Sequence, residues 1–172
     1  MKILRLVVSV VAFATYALAQ QAGSPAPGGA AGAAFNALKT LAGEWEGKSN
    51  EDGKEMPTTT AFRVVSDNSA LMDVLAEGTP HEMVTMFHMD GSDLLATHYC
   101  AAHNQPRFRF VPSSDPKVLT FEFMDATNLA SPDAPHMVGL KITLLHPNHH
   151  IEDWTFRANG QTMTHRLDFH RK

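Results

Sequence analysis

With one cysteine, Cys100, among 172 residues, the chain cannot close an internal disulfide, so its stability has to come from packing. Basic residues are few as well. Fourteen Lys and Arg stand against eighteen Asp and Glu, a formal charge of −4. No basic cluster offsets that balance, which argues against nucleic acid or an anionic membrane surface as a partner. Long helical periodicity is missing after Gly43. The stretch His81 to Phe110, which holds four of the ten histidines and the only cysteine, contains no nucleophile, phosphate-loop or metal motif of recognised spacing, so no reaction is named by motif.

What is present at the N-terminus is an address. Lys2 and Arg5 precede an apolar run from Leu6 to Leu18, closed by small residues at Ala17 and Ala19. This pattern predicts a secretory signal peptide over residues 1–19. Its apolar core is too short to remain as a helix across about 30 Å of hydrocarbon, so export to the periplasm or the extracellular space is expected, with no membrane insertion after cleavage. Loss of Lys2 and Arg5 moves the formal charge from −4 to −6. Residues 20–34, rich in Ala, Gly and Pro, predict a flexible linker. Residues 35–172 then form one domain of a size that supports a real core.

Within that domain Phe35, Leu38 and Leu41 share one helical face, and Gly43 follows as a stop signal. From Trp45 onward the period is two. The candidate strands are the Trp45 segment, Thr58 to Ser66, Ala70 to Glu77, His81 to Met89, Asp93 to Ala101, Arg107 to Val111, Val118 to Asp125, His136 to His146, His149 to Ala158 and Thr162 to Arg171. Turn residues separate them, among them Asp90-Gly91, Pro147-Asn148 and Asn159-Gly160. About ten sequential strands in one open sheet would expose two edges. The expected fold is therefore all-β, an antiparallel up-and-down barrel preceded by a short helix, with a lumen wide enough for a cavity. A sandwich is the alternative, with Ala126 to Pro135 as its one long crossing.

Strand phase sorts the polar residues. In the last strand His165 alternates with Met163, Leu167 and Phe169 and is expected to point inward, opposite Thr164, Arg166, Asp168 and His170. Glu152 shares its face with Trp154 and Phe156. That arrangement buries a carboxylate, which needs a partner, and His165 on the neighbouring strand is the expected one. Phase leaves Asp93 to Ala101 open. If Leu94 and Ala96 face in, His98 and Cys100 enter the lumen together; if Leu95 and Thr97 do, Tyr99 enters instead. Cys100 reads either as a small buried apolar residue or as a reactive thiol or metal ligand. Arg107 and Arg109 alternate with Phe108 and Phe110 and either meet solvent or line the lumen, where an arginine would fork a carboxylate ligand. The candidate lumen set is thus His98, Tyr99, Cys100, Arg107, Glu152, Trp154 and His165. His146, His149 and His150 flank a turn and are expected as a solvated surface cluster with weak, incidental metal affinity.

The segment Leu41-Ala42-Gly43-Glu44-Trp45-Glu46-Gly47, a helix running into G-x-W at the first strand, resembles the opening of calycin-type barrels, the lipocalin and fatty-acid-binding group, and in particular of nitrobindin-like proteins. The span His81 to Arg109, with T-H-Y-C and N-Q-P-R, resembles secreted bacterial proteins of this barrel type that have no assigned activity. The resemblance implies a ten-stranded barrel after a helix and, on the nitrobindin side, haem bound through a histidine on the last strands, where His165 stands. Three classes of function follow. The first is an exported, non-catalytic barrel for a small apolar or amphipathic molecule, with no obligatory cofactor. The second is a haem-binding or metal-binding barrel. The third, disfavoured because no spacing imposes it, is an enzyme using His98, Cys100 or Glu152 with His165 as acid and base.

Overall fold

The computed structural model describes residues 29–51 and 54–172; the expected signal peptide and residues 20–28 of the expected linker lie outside the described residues. A helix, α1 (Gly29–Lys39), leads into ten strands. These are β1 (Gly43–Glu51), β2 (Lys54–Val65), β3 (Ala70–Leu75), β4 (Met83–Asp90) and β5 (Asp93–Tyr99), followed by β6 (Gln105–Val111), β7 (Val118–Thr127), β8 (His136–His146), β9 (His149–Ala158) and β10 (Gln161–Arg171). Every strand pairs antiparallel with its sequence neighbour, and β1 pairs with both β2 and β10, with Trp45 opposite Arg171 and Thr60. The sheet is therefore a closed barrel with no free edge. The expected all-β fold, strand number and leading helix are all found, and the sandwich is not.

The helix begins earlier than its apolar spacing predicts. Residues 29–34, expected in the linker, form its first turns, and Ala34 is buried along with Phe35 and Leu38. Alanine has the highest intrinsic helix propensity. A small-residue run that cannot build a core alone can still dock against one, and α1 packs on β4 and β5. The chain leaves the helix through a fixed corner. Arg171 donates from Nη1 to the Ala42 carbonyl at 2.8 Å and from Nη2 to that of Thr40 at 2.9 Å. Its guanidinium covers the Trp45 ring at 4.2 Å, while Trp45 Nε1 donates to the Leu41 carbonyl at 2.8 Å. The last strand thus satisfies carbonyls that the helix end leaves unpaired.

Gly47 explains the second glycine of the opening motif. It faces inward between β2 and β10, and a Cβ there would overlap the Asp168 carbonyl oxygen and lie 2.8 Å from Phe169 Cδ1. The helix end of the barrel is filled mainly by large side chains. Trp45, Phe62, Phe87, Phe121, Phe169, Leu38 and Leu71 have essentially no solvent contact. Among the described residues no helix is long and apolar enough to cross a membrane.

Candidate functional site

Ionisable groups form a belt across the barrel interior. On one wall the register sets Asp73 (β3) opposite Thr85 (β4), and Thr85 opposite His98 (β5), so the three share the inner face of adjacent strands. Thr60 of β2 completes this row by donating its hydroxyl to Asp73. His98 Nδ1 and Thr85 Oγ1 are 3.0 Å apart. On the other wall, spacing of two along β9 places His150, Glu152 and Trp154 on one face. The middle carboxylate reaches both neighbours: Oε2 accepts from Trp154 Nε1 at 2.9 Å, and Oε1 lies 3.1 Å from His150 Nε2. The two walls meet where the His98 ring lies 4.5 Å from that of Trp154.

Burial shifts the protonation of His98 and Asp73. His98 is held down to about 4 because its charged form would be desolvated. It is therefore neutral at physiological pH. Asp73 is pushed well up, first by burial and then by the nearby Glu152 carboxylate, against the pull of the Thr60 hydroxyl. The Cys100 thiol is raised by burial, with a smaller opposing effect from a backbone hydrogen bond at Ala102, which disfavours the reactive thiolate. Among the described residues, two buried ring nitrogens, His98 Nε2 and His150 Nδ1, have no hydrogen-bond partner.

Of the lumen candidates, His98, Glu152 and Trp154 are brought together in this belt and are fully buried. Cys100 lies one inward position beyond His98 and is half-buried. His165 is also on the inner face and half-buried, near the end opposite α1, with its ring 6.5 Å from Phe156. The expected Glu152–His165 pair does not form. Glu152 stands opposite Leu167, His165 stands opposite Trp154, and the carboxylate is already occupied by its own strand neighbours.

Two candidates point the other way. Leu94, Ala96 and His98 take the inner face of β5, so Tyr99 is on the outer face and half exposed. Phe108 and Phe110 take the inner face of β6, which sends Arg107 outward to Asp125, at 2.6 and 2.5 Å. His150, expected on the surface, is instead enclosed by Trp45, Phe62 and Phe169. Asp73, Thr85 and Thr60 join the belt although they are not among the expected lumen residues. Their signal was the phase of Leu71-Asp73-Leu75 and Thr85-Phe87, a polar residue seated among inward apolar ones.

The end of the barrel opposite α1 differs from the filled end. Met56 and Met163 lie on the inner face, opposite Ser49 and Phe156, yet are 53% and 48% exposed. Met83, Cys100, Phe123, Phe156 and His165 continue this wall half-buried. Two recesses lie elsewhere. One of about 340 Å³ sits between Leu41 and the turn at Pro147, and one of about 220 Å³ lies beside Ala61 and Val74. Neither is lined by His98, Glu152, Trp154 or His165.

No family model matches the chain. No curated protein sequence matches it. Among solved structures the chain is similar to the crystal structure of Rv2717c from M. tuberculosis, at 17% identity and a TM-score of 0.51, over 81% of this chain and 97% of that one. At that identity the likeness concerns the fold alone. The closed ten-stranded barrel and this likeness fit a calycin-like barrel at the coarse level.

Proposed function

We propose that the protein is an exported binding barrel whose ligand is a small apolar or amphipathic molecule held at the end opposite α1. One observation carries the reading: inward-facing Met56 and Met163 remain about half exposed where a finished core would cover them. Large apolar side chains left exposed on an inner face suit a small apolar ligand, and methionine adapts to ligands without strict shape demands. Below this wall, neutral His98 holds one ring nitrogen with no hydrogen-bond partner among the described residues. A ligand hydroxyl, carbonyl or protonated carboxyl reaching it would relieve a cost of roughly 1–3 kcal/mol.

The test is titration of the full chain with oleic acid and with anilinonaphthalene sulfonate, followed by fluorescence and native mass spectrometry. Binding is expected to weaken tenfold or more in Met163→Glu and in Phe156→Asp. Absence of uptake of both probes, or equal affinity in both variants, refutes the reading. The haem alternative rests on His165, which among the inward imidazoles is the one with solvent contact, since His98 and His150 are enclosed. A Soret band on haemin titration that is lost in His165→Ala would support it over the lipid reading. Export is tested separately, by N-terminal sequencing of the protein recovered outside the cytoplasm, which should begin at Gln20.

A further inference from the structure

The outer wall of β9 and β10 carries a second constellation, independent of the lumen. His149 and His170 stand directly opposite each other in the β9–β10 ladder, and their rings stack at 4.2 Å with 24° between planes. Asp168, two residues before His170 and on the same outer face, places Oδ1 2.7 Å from His149 Nε2 and 3.5 Å from His170 Nε2. The three ligand atoms lie within 4.8 Å of one another. Among the described residues this is the one group of three His, Cys, Asp or Glu side chains whose ligand atoms converge this closely.

We propose that His149, Asp168 and His170 form a surface site for a divalent transition cation of the Zn²⁺ or Cu²⁺ class. A tetrahedral ion with bonds of 2.0–2.1 Å separates its ligand atoms by about 3.3 Å. Two of the three separations, 2.7 and 3.5 Å, bracket that edge, and the third lies within 4.8 Å, a mismatch of the size that side-chain torsions can close. Two imidazoles and one carboxylate suit borderline metals and leave the remaining coordination positions to water. The backbone beneath is rigid because both strands are interior members of a closed sheet. His149 is the least exposed of the three, at 19%, while Asp168 and His170 stand open at 47% and 62%. The charge around the site is mixed: Arg166, two residues before Asp168 on the same face, acts on its carboxylate but is itself paired with Asp153 at 2.8 Å. Glu46 of β1 is opposite His170. Lys48, opposite Asp168, is engaged by Glu55 at 2.6 Å. The His146 ring lies 5.2 Å from that of His149.

The test is isothermal titration of the full chain with ZnCl₂ and with CuSO₄ near pH 7.5, alongside His149→Ala, His170→Ala, Asp168→Asn and the exposed-histidine control His81→Ala. One ion per chain is expected. Loss of either imidazole should weaken affinity at least tenfold, Asp168→Asn should weaken it less, and His81→Ala should leave it unchanged. Copper should bind more tightly than zinc. Addition of zinc should also broaden or shift the imidazole NMR signals of His149 and His170 before those of the other histidines. Thermal melts in metal-free buffer identify any variant that fails to fold, and the wild-type NMR titration decides the matter even then. Unaltered zinc affinity in both His149→Ala and His170→Ala, or first perturbation of other histidines, overturns the site.

Discussion

Lowering the pH should destabilise the barrel through His98 in particular. In the unfolded chain this imidazole titrates near 6.5, whereas in the barrel burial holds it near 4. A base with a depressed folded pKa binds its proton more readily in the unfolded state, so its contribution is intact above 6.5 and is lost as pH falls toward 4. Linkage over that interval amounts to about 2 kcal/mol by pH 5 and about 3 kcal/mol by pH 4. This is a large share of the stability of a domain of this size. The assay is urea unfolding from pH 7.5 to pH 4 for the wild type and for His98→Gln, which keeps a polar side chain but cannot titrate. The other nine histidines act equally in both proteins, so the difference between the two curves isolates His98. That difference should move by about 3 kcal/mol in favour of the variant on acidification. Parallel curves, or an NMR titration of the His98 ring with a midpoint near 6.5, would show that the belt is wet and the enclosure argument wrong.

Asp73 should act with the opposite sign. Its folded pKa is raised by burial and by Glu152, so its stabilising share is present below about 3.8 and is lost as pH rises through the folded value; Asp73→Asn should therefore gain on the wild type in urea melts as pH increases. Gly47→Ala is expected to cost about 3 kcal/mol or more, because its Cβ meets the Asp168 carbonyl and Phe169 rather than a flexible side-chain tip; a thermal melt within a degree of wild type would contradict the register of β1 on β10. Arg107→Ala removes an exposed ion pair with Asp125 and should change stability by less than about 1 kcal/mol. The same variant should leave oleate binding unaltered.

Much of the barrel was legible because the pattern of a strand is local. Apolar alternation at Leu167 and Phe169, and at Trp154 and Phe156, assigns faces without any knowledge of neighbours, and Asn159-Gly160 marks a hairpin by its backbone preference alone. The opening of α1 was hidden for the complementary reason: a run of Ala and Gly acquires its helix from the barrel end it docks on. The partners of Glu152 were hidden too. Phase placed it indoors beside Trp154, but the contest between His165 across the ladder and His150 on its own strand is settled by side-chain reach in three dimensions.

Composition and periodicity by themselves determined that this is a disulfide-free, mildly acidic, sheet-rich domain whose strands follow one another, since charge, cysteine count and a period of two need no partner to be read. Tertiary structure alone decided which end of the tube is filled and which is lined by half-exposed methionines. It also decided that Asp73, Thr85 and His98 stand in one row facing Glu152, and that His149 and His170 face each other on the outer wall. These are relations between residues tens of positions apart, set by strand register and barrel closure, and no local pattern in the chain encodes them.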